Sequence, residues 1–210
     1  VSAAVRRSPI ASVHAELGAR VDTTAGWEIV NTYGDLAAER TALREVVGLG
    51  DVTPRGKIDV RGAIAGPLQG AGGGILAQLS DDWALVLTEP DAELVVMSAM
   101  EEQTEGSSVT VTDVTHVYAG LVLAGPASAD VCARLTSWDP ATLGSGEATG
   151  AAFAEVRVVV LNLPGGELPT LEFFVAAEFG RYVWETVAGV VARLGGRPVG
   201  WDALRAEGWN

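Results

Sequence analysis

Among the residues with chemistry to offer, Glu172 stands out as a carboxylate set in an apolar strand, Thr170-Leu171-Glu172-Phe173-Phe174-Val175. The two-residue period of an extended chain sends it to the face opposite Leu171 and Phe173. There it either meets water or grips a ligand, since an ionised carboxylate accepts on both oxygens and suits a pair of adjacent N–H donors. Trp27-Glu28 reads as part of a loop, an aromatic and a carboxylate that could line a pocket, although a loop Trp is more simply an anchor to the core. Tyr33 admits the same two readings. Asp81-Asp82 stands before a strand and reads as a turn. His14 and His116 are far apart with no ligand pattern beside them, which predicts a surface and a strand-end histidine rather than a metal pair. Cys132 shares helical spacing with Val131 and Leu135 and reads as a small core residue. A lone cysteine allows neither an internal disulfide nor a cysteine zinc cluster. Neither a Gly-x-Ser-x-Gly elbow nor a His-Glu-x-x-His pair occurs.

The elements that must position these residues follow from the hydrophobic pattern. Residues 1–12 read as a loose arm and 13–210 as one folded unit with two lobes. Asp35 caps a predicted helix to about Val47, with Leu36, Leu43, Val46 and Val47 inward, Glu39, Arg40, Arg44 and Glu45 outward, and Gly48 as a left-handed stop. Lys57 to Arg61 alternates charged and apolar, a strand with one wet face. Residues 63–74 form a glycine-dense loop lacking both the dinucleotide and the phosphate-loop spacing. Trp83 to Thr88 is a strand, and Asp91 to Gln103 a helix behind Pro90 with Leu94, Val95 and Met97 or Met100 inward. Strands are predicted over 109–113 and 118–124, then a helix over 127–137 and a weakly patterned stretch over 138–151. An antiparallel pair follows over 154–162 and 170–175, joined at Leu163-Pro164-Gly165-Gly166. A helix over 177–194 stops at Gly195-Gly196. This order predicts an α+β protein of two ferredoxin-like halves facing each other, with a ligand between them.

Composition excludes some classes. Of 210 residues, 48% are hydrophobic and 20% charged, and the formal net charge is −13. Phosphate-backbone affinity comes from clustered Lys and Arg, so neither nucleic acid nor an anionic membrane is an expected partner. Lys57 is the sole lysine. No apolar run approaches the ~20 residues that cross a bilayer, and Arg6-Arg7 has no apolar stretch behind it. The expectation is a soluble, cytoplasmic protein.

The succession Gly18-Ala19-Arg20, Ala25-Gly26-Trp27-Glu28, Tyr33-Gly34, Arg44-Glu45, Val47-Gly48-Leu49, Asp51-Val52 and Gly56-Lys57-Ile58-Asp59-Val60-Arg61-Gly62 resembles the opening of the glycine cleavage T protein (aminomethyltransferase) family. Leu121 to Pro126 resembles its strand, Gly-Pro, helix unit, and Arg197 to Gly208 its later segment. The resemblance implies a tetrahydrofolate-binding protein acting in one-carbon transfer or demethylation. It implies that Glu172 holds the pterin and that Arg205 lies near the folate, with Trp27 and Tyr33 as candidate pocket aromatics. The sequence also departs from the family. Asn162 to Glu167 replaces its Tyr-Thr-Gly-Glu signature, and Ala77-Gln78 follows Gly73-Gly74-Ile75-Leu76 where catalytic members carry an aspartate. No catalytic residue is therefore assigned, Asp81 and Asp82 being the nearest substitutes. The segment between Gly62 and Gly73 is short for the family, and its C-terminal barrel is absent from these residues. Phe179-Gly180-Arg181-Tyr182-Val183-Trp184 resembles the gamma subunit of heterotetrameric sarcosine oxidase. That implies an alternative, a non-catalytic subunit packed against a larger flavoprotein.

Overall fold

The computed structural model describes residues 4–62, 73–164 and 166–209. Residues 63–72 of the loop predicted over 63–74, and Gly165 of the predicted turn, lie outside the described residues. In chain order the elements are α1 (Ala11–Glu16), β1 (Arg20–Thr24), β2 (Trp27–Thr32), α2 (Leu36–Glu45), β3 (Gly48–Asp51), β4 (Gly56–Arg61), β5 (Ile75–Ser80) and β6 (Trp83–Thr88). There follow α3 (Glu93–Gln103), β7 (Thr110–Asp113), β8 (Tyr118–Ala124), α4 (Ser128–Cys132), β9 (Ala148–Phe153), β10 (Val156–Asn162), β11 (Thr170–Ala176), α5 (Gly180–Arg193), β12 (Arg197–Pro198) and α6 (Trp201–Ala206).

Two sheets carry the fold, a larger one in the order β12-β3-β8-β11-β10-β9 and a smaller one in the order β5-β6-β4-β7. Strand alternation gives each sheet two apolar faces, and each face finds a cover. Leu121, Phe173 and Val175 pack with Val183, Trp184 and Val187 of α5 on one side of the larger sheet. On its other side, Val159, Leu161 and Phe174 meet Ala77, Leu85 and Leu87 of the smaller sheet. The outer face of the smaller sheet, with Ile58, Val60 and Val86, is covered by Val96 and Met100 of α3. The chain is an α+β protein whose two sheet-based halves face each other, as the sequence predicts. Where Ala77, Leu85 and Leu87 meet Val159, Leu161 and Phe174, the space between the halves is filled by side chains rather than left open.

Several local predictions change. The expected loose arm is docked from Arg6 onward: its backbone bonds Gly26 and Glu28, and Ile10 is fully buried. The expected Trp27-Glu28 loop is instead the β1–β2 hairpin, turned at Ala25-Gly26 with φ of 50° and 74°. Asp35 does cap α2, accepting from the Ala38 N–H. Glu39, however, is buried and Leu36 exposed, because Glu39 accepts from Thr32 Oγ1, the Tyr33 N–H and the Gly200 N–H at 2.6, 2.7 and 2.8 Å. Gly48 is no helix stop. It opens β3, where a Cβ would lie 2.6 Å from Leu43 Cδ2 and 2.8 Å from Val199. On α3, Leu94 and Val95 point to solvent at 77% and 67% exposure while Val96 and Met100 face in. The helix predicted over 127–137 shortens to α4, and β9 begins within the weak stretch and runs two residues past it. Lys57 lies in the interior, not on a wet face.

Candidate functional site

Glu172 sits mid-strand on β11, facing Val122 of β8 and Leu161 of β10 in the register of the larger sheet. It is fully buried. Arg55, in the turn that leads into β4, donates from Nη1 to Glu172 Oε1 at 2.9 Å. The Trp209 indole N–H donates to the same oxygen at 2.8 Å. The Arg55 guanidinium lies 5.1 Å from the Trp209 ring centroid, a cation–π contact. Glu172 Oε2 has no hydrogen-bond partner among the described residues. Trp209 also lines a cavity of about 230 Å³, with Leu163, Leu168, Thr170 and Leu204.

Two residues from Arg55, Lys57 is also fully buried. Its ammonium donates to the Thr53 and Thr115 carbonyls at 2.7 and 3.3 Å. Burial, against the attraction of Asp51, Glu172 and Glu93, pulls this amine down to about 7. Gly56 between the two cations lets Glu93 approach, since a Cβ there would lie 2.6 Å from Glu93 Cγ. Glu93 Oε1 is buried without a partner among the described residues. Farther along, His14 joins Asp51 Oδ2 at 2.8 Å and the Tyr33 hydroxyl at 2.9 Å. Burial alone would raise the Asp51 carboxyl, but the hydrogen bond and charge of His14, with hydrogen bonds from Ser8 and Thr53, hold it below its ordinary value. Burial, then the charges of Asp51 and Glu39, raise the Tyr33 phenol. A hydroxyl so disposed keeps its proton, and the Tyr33–His14–Asp51 chain ties α1 and β3 to the start of α2.

The predicted site residues divide between these two places. Trp27 is buried in the cluster that holds Trp201, Trp209 and Val122, stacked on His116 at 5.5 Å and under Arg6 at 5.1 Å. Its indole N–H has no partner among the described residues. Arg205 stacks on Trp201 at 4.8 Å and pairs with Glu89 at 3.1 Å. Trp201 meets Trp209 edge-on at 4.9 Å, so two indoles link Arg205 to Glu172. Tyr33 packs instead against the α5 side of the larger sheet. Ala77 is fully buried between the sheets, whereas Asp81 and Asp82 are exposed in the β5–β6 turn. Cys132 is a core residue, its thiol pushed by burial up to about 12. His14 is buried, not on the surface. No group of three or more His, Cys, Asp or Glu among the described residues is arranged to hold a metal. Sequence reasoning passed over Arg55, Lys57 and Trp209. Two cations astride a glycine at a strand entrance were the available signal for the first two; for Trp209 there was none beyond its aromatic type.

The family model of the GCVT N-terminal domain matches residues 71–208. Curated aminomethyltransferases align along nearly the whole chain. The protein from Saccharopolyspora erythraea is 27% identical over 232 residues, covering 96% of this chain and 63% of its own. That from Geobacillus kaustophilus is 30% identical over 234 residues, covering 97% and 64%. The chain thus spans less than two thirds of the length of these relatives. Among solved structures, glycine cleavage system aminomethyltransferase T from Bartonella henselae superposes with a TM-score of 0.80 at 18% identity, covering 97% of this chain and 62% of that one. A chain of heterotetrameric sarcosine oxidase from Corynebacterium sp. U-96, in complex with pyrrole 2-carboxylate, superposes with a TM-score of 0.66 at 18% identity, covering 92% and 98%. With two facing sheets, a buried strand carboxylate and a family match across β5 to α6, the chain belongs to the GCVT N-terminal domain family.

Proposed function

We propose that this chain is a non-catalytic, partner-binding component of an amine oxidase or demethylase, comparable to the gamma-type subunit of a heterotetrameric sarcosine oxidase. The observation that carries this reading is Ala77, fully buried between the sheets where the family resemblance implies an aspartate. An alanine can neither transfer nor stabilise a proton, and one-carbon transfer wants an acid beside the reacting nitrogen. Glu172 supports the same reading, since its Oε1 already takes donors from Arg55 and Trp209. The partner would be a larger flavoprotein subunit from the same organism. Co-expression with that subunit is expected to give one co-eluting complex on a sizing column. Separate elution, with this chain a stable monomer, would remove the reading.

A second reading is favoured by Glu172 Oε2, buried with no partner among the described residues. A reduced folate would place its pterin N–H donors on Glu172, with Trp27 in the same apolar cluster as Trp209, Arg205 two indoles away and Tyr33 on the α5 side of the larger sheet. Calorimetry of the full chain with tetrahydrofolate tests it: binding lost in Glu172→Ala supports the reading, and no heat with no thermal shift excludes it.

A further inference from the structure

Trp209 is held the way a flat ligand of Glu172 would be held. Its N–H reaches Glu172 Oε1 at 2.8 Å, the Arg55 guanidinium lies against its ring at 5.1 Å, and Trp201 packs edge-on at 4.9 Å. It is 5% exposed. Gly208 before it is left-handed at φ +86°, and its own backbone N–H bonds the Leu204 carbonyl at the end of α6. The match is also incomplete: an indole offers one donor, and Glu172 has a second buried oxygen that nothing among the described residues satisfies. The cavity of about 230 Å³ adjoining Trp209 leaves room for its ring to leave Glu172.

We propose that Trp209 is a displaceable internal plug, and that the Glu172 site accepts in its place a planar heterocycle presenting two adjacent N–H donors, one to each carboxylate oxygen. What drives the exchange is that an unpaired buried acceptor is costly and a charge-assisted pair of hydrogen bonds relieves it, set against the bond to Glu172 and the burial that Trp209 gives up. Arg55 serves both states, as partner of the carboxylate and as the cationic face over the ring. Recognition then depends on N–H donors rather than on ring shape: a flat hydrocarbon of the same outline brings no hydrogen bond to either oxygen of Glu172. This goes beyond the partner-binding reading and does not depend on it, since every group involved belongs to this chain. It rests on the folate reading for the contact of two N–H donors with Glu172, and deepens it by naming what keeps the site shut.

The test uses the full chain as wild type, Trp209→Ala and Trp209→Phe, with indole, indene and 6-methylpterin as probes in calorimetry and thermal melts. Indole and indene share a bicyclic outline, but indene has no N–H. In Trp209→Ala, indole is expected to bind about tenfold or more tightly than indene, the difference one hydrogen bond to a buried charge makes. For 6-methylpterin, Trp209→Ala is expected to bind about tenfold or more tightly than wild type. Trp209→Phe keeps a ring in the core without the N–H and decides the matter if the alanine variant does not fold; it too should bind 6-methylpterin more tightly than wild type. Equal binding of indene and indole by Trp209→Ala would overturn the inference, as would a Trp209→Phe no better than wild type with 6-methylpterin. Indole and indene carry no one-carbon unit or glutamate tail, so a failure of folate binding and a failure of the plug give different patterns.

Discussion

At Lys57 the interior sets burial against charge, and burial pulls the amine from 10.5 down to about 7. Below about pH 7 both the folded and the unfolded chain hold the proton, so the desolvation cost is fully present. Between about 7 and 10.5 the unfolded chain binds the proton and the folded chain does not, so this residue's contribution to stability rises with pH across that window. Urea midpoints measured against Lys57→Met from neutral to alkaline pH should show the wild type gaining on the variant, by up to about 1.4 kcal/mol per pH unit. Parallel curves would show that Lys57 does not titrate there. For Glu172→Ala the expected loss is about 3–5 kcal/mol in denaturant melts, because Arg55 loses its buried carboxylate. Neither burial was legible in the sequence. Alternation sent Lys57 to a wet face and left Glu172 between water and a ligand because it reads side-chain type, whereas their countercharges come from other elements: Asp51 from β3, Glu93 from α3, Arg55 from the turn before β4.

Elements show the same division. Asp35, Gly195 and the β6, β8 and β11 strands were readable because cap chemistry and apolar runs are local signals. β9 was not. Its residues Ala148-Thr149-Gly150-Ala151-Ala152-Phe153 alternate little in hydropathy, and its hairpin turns at Ala154-Glu155, left-handed at φ 49° and 63° without the usual glycine or asparagine. On α3 the run Leu94-Val95-Val96-Met97 is apolar all round, so periodicity could not choose a face. The structure chooses Val96 and Met100. Met100→Ala should therefore cost about 2–5 kcal/mol, whereas Leu94→Glu should stay within about 0.5 kcal/mol in the isolated chain. The reverse order in chemical denaturation would mean the helix is rotated. Glu39 joins three elements by accepting from the end of β2, the loop after it and the entrance of α6. Its replacement by alanine strands those donors and is expected to lower stability by about 2–4 kcal/mol.

The whole molecule carries a net charge of −13, and like charges that remain exposed repel one another in the compact state. Raising salt from about 0.01 to about 0.1 M shortens the screening length from ~30 to ~10 Å, so the melting temperature should rise; a fall would point to ion pairs dominating the surface field. No helix among the described residues is long and apolar enough to cross a membrane. The two-sheet architecture was legible because each half has its own run of strands and a helix, whereas the closure of the space between them was not, since it depends on which faces meet. One outcome of that closure reaches outside folding. The single lysine of the sequence is sealed inside, at 0% exposure. While folded, these 210 residues present no lysine to acetylating or ubiquitin-conjugating enzymes or to amine cross-linkers. An isotopic methyl tag forced onto that nitrogen would give one resonance, reporting from the middle of the molecule.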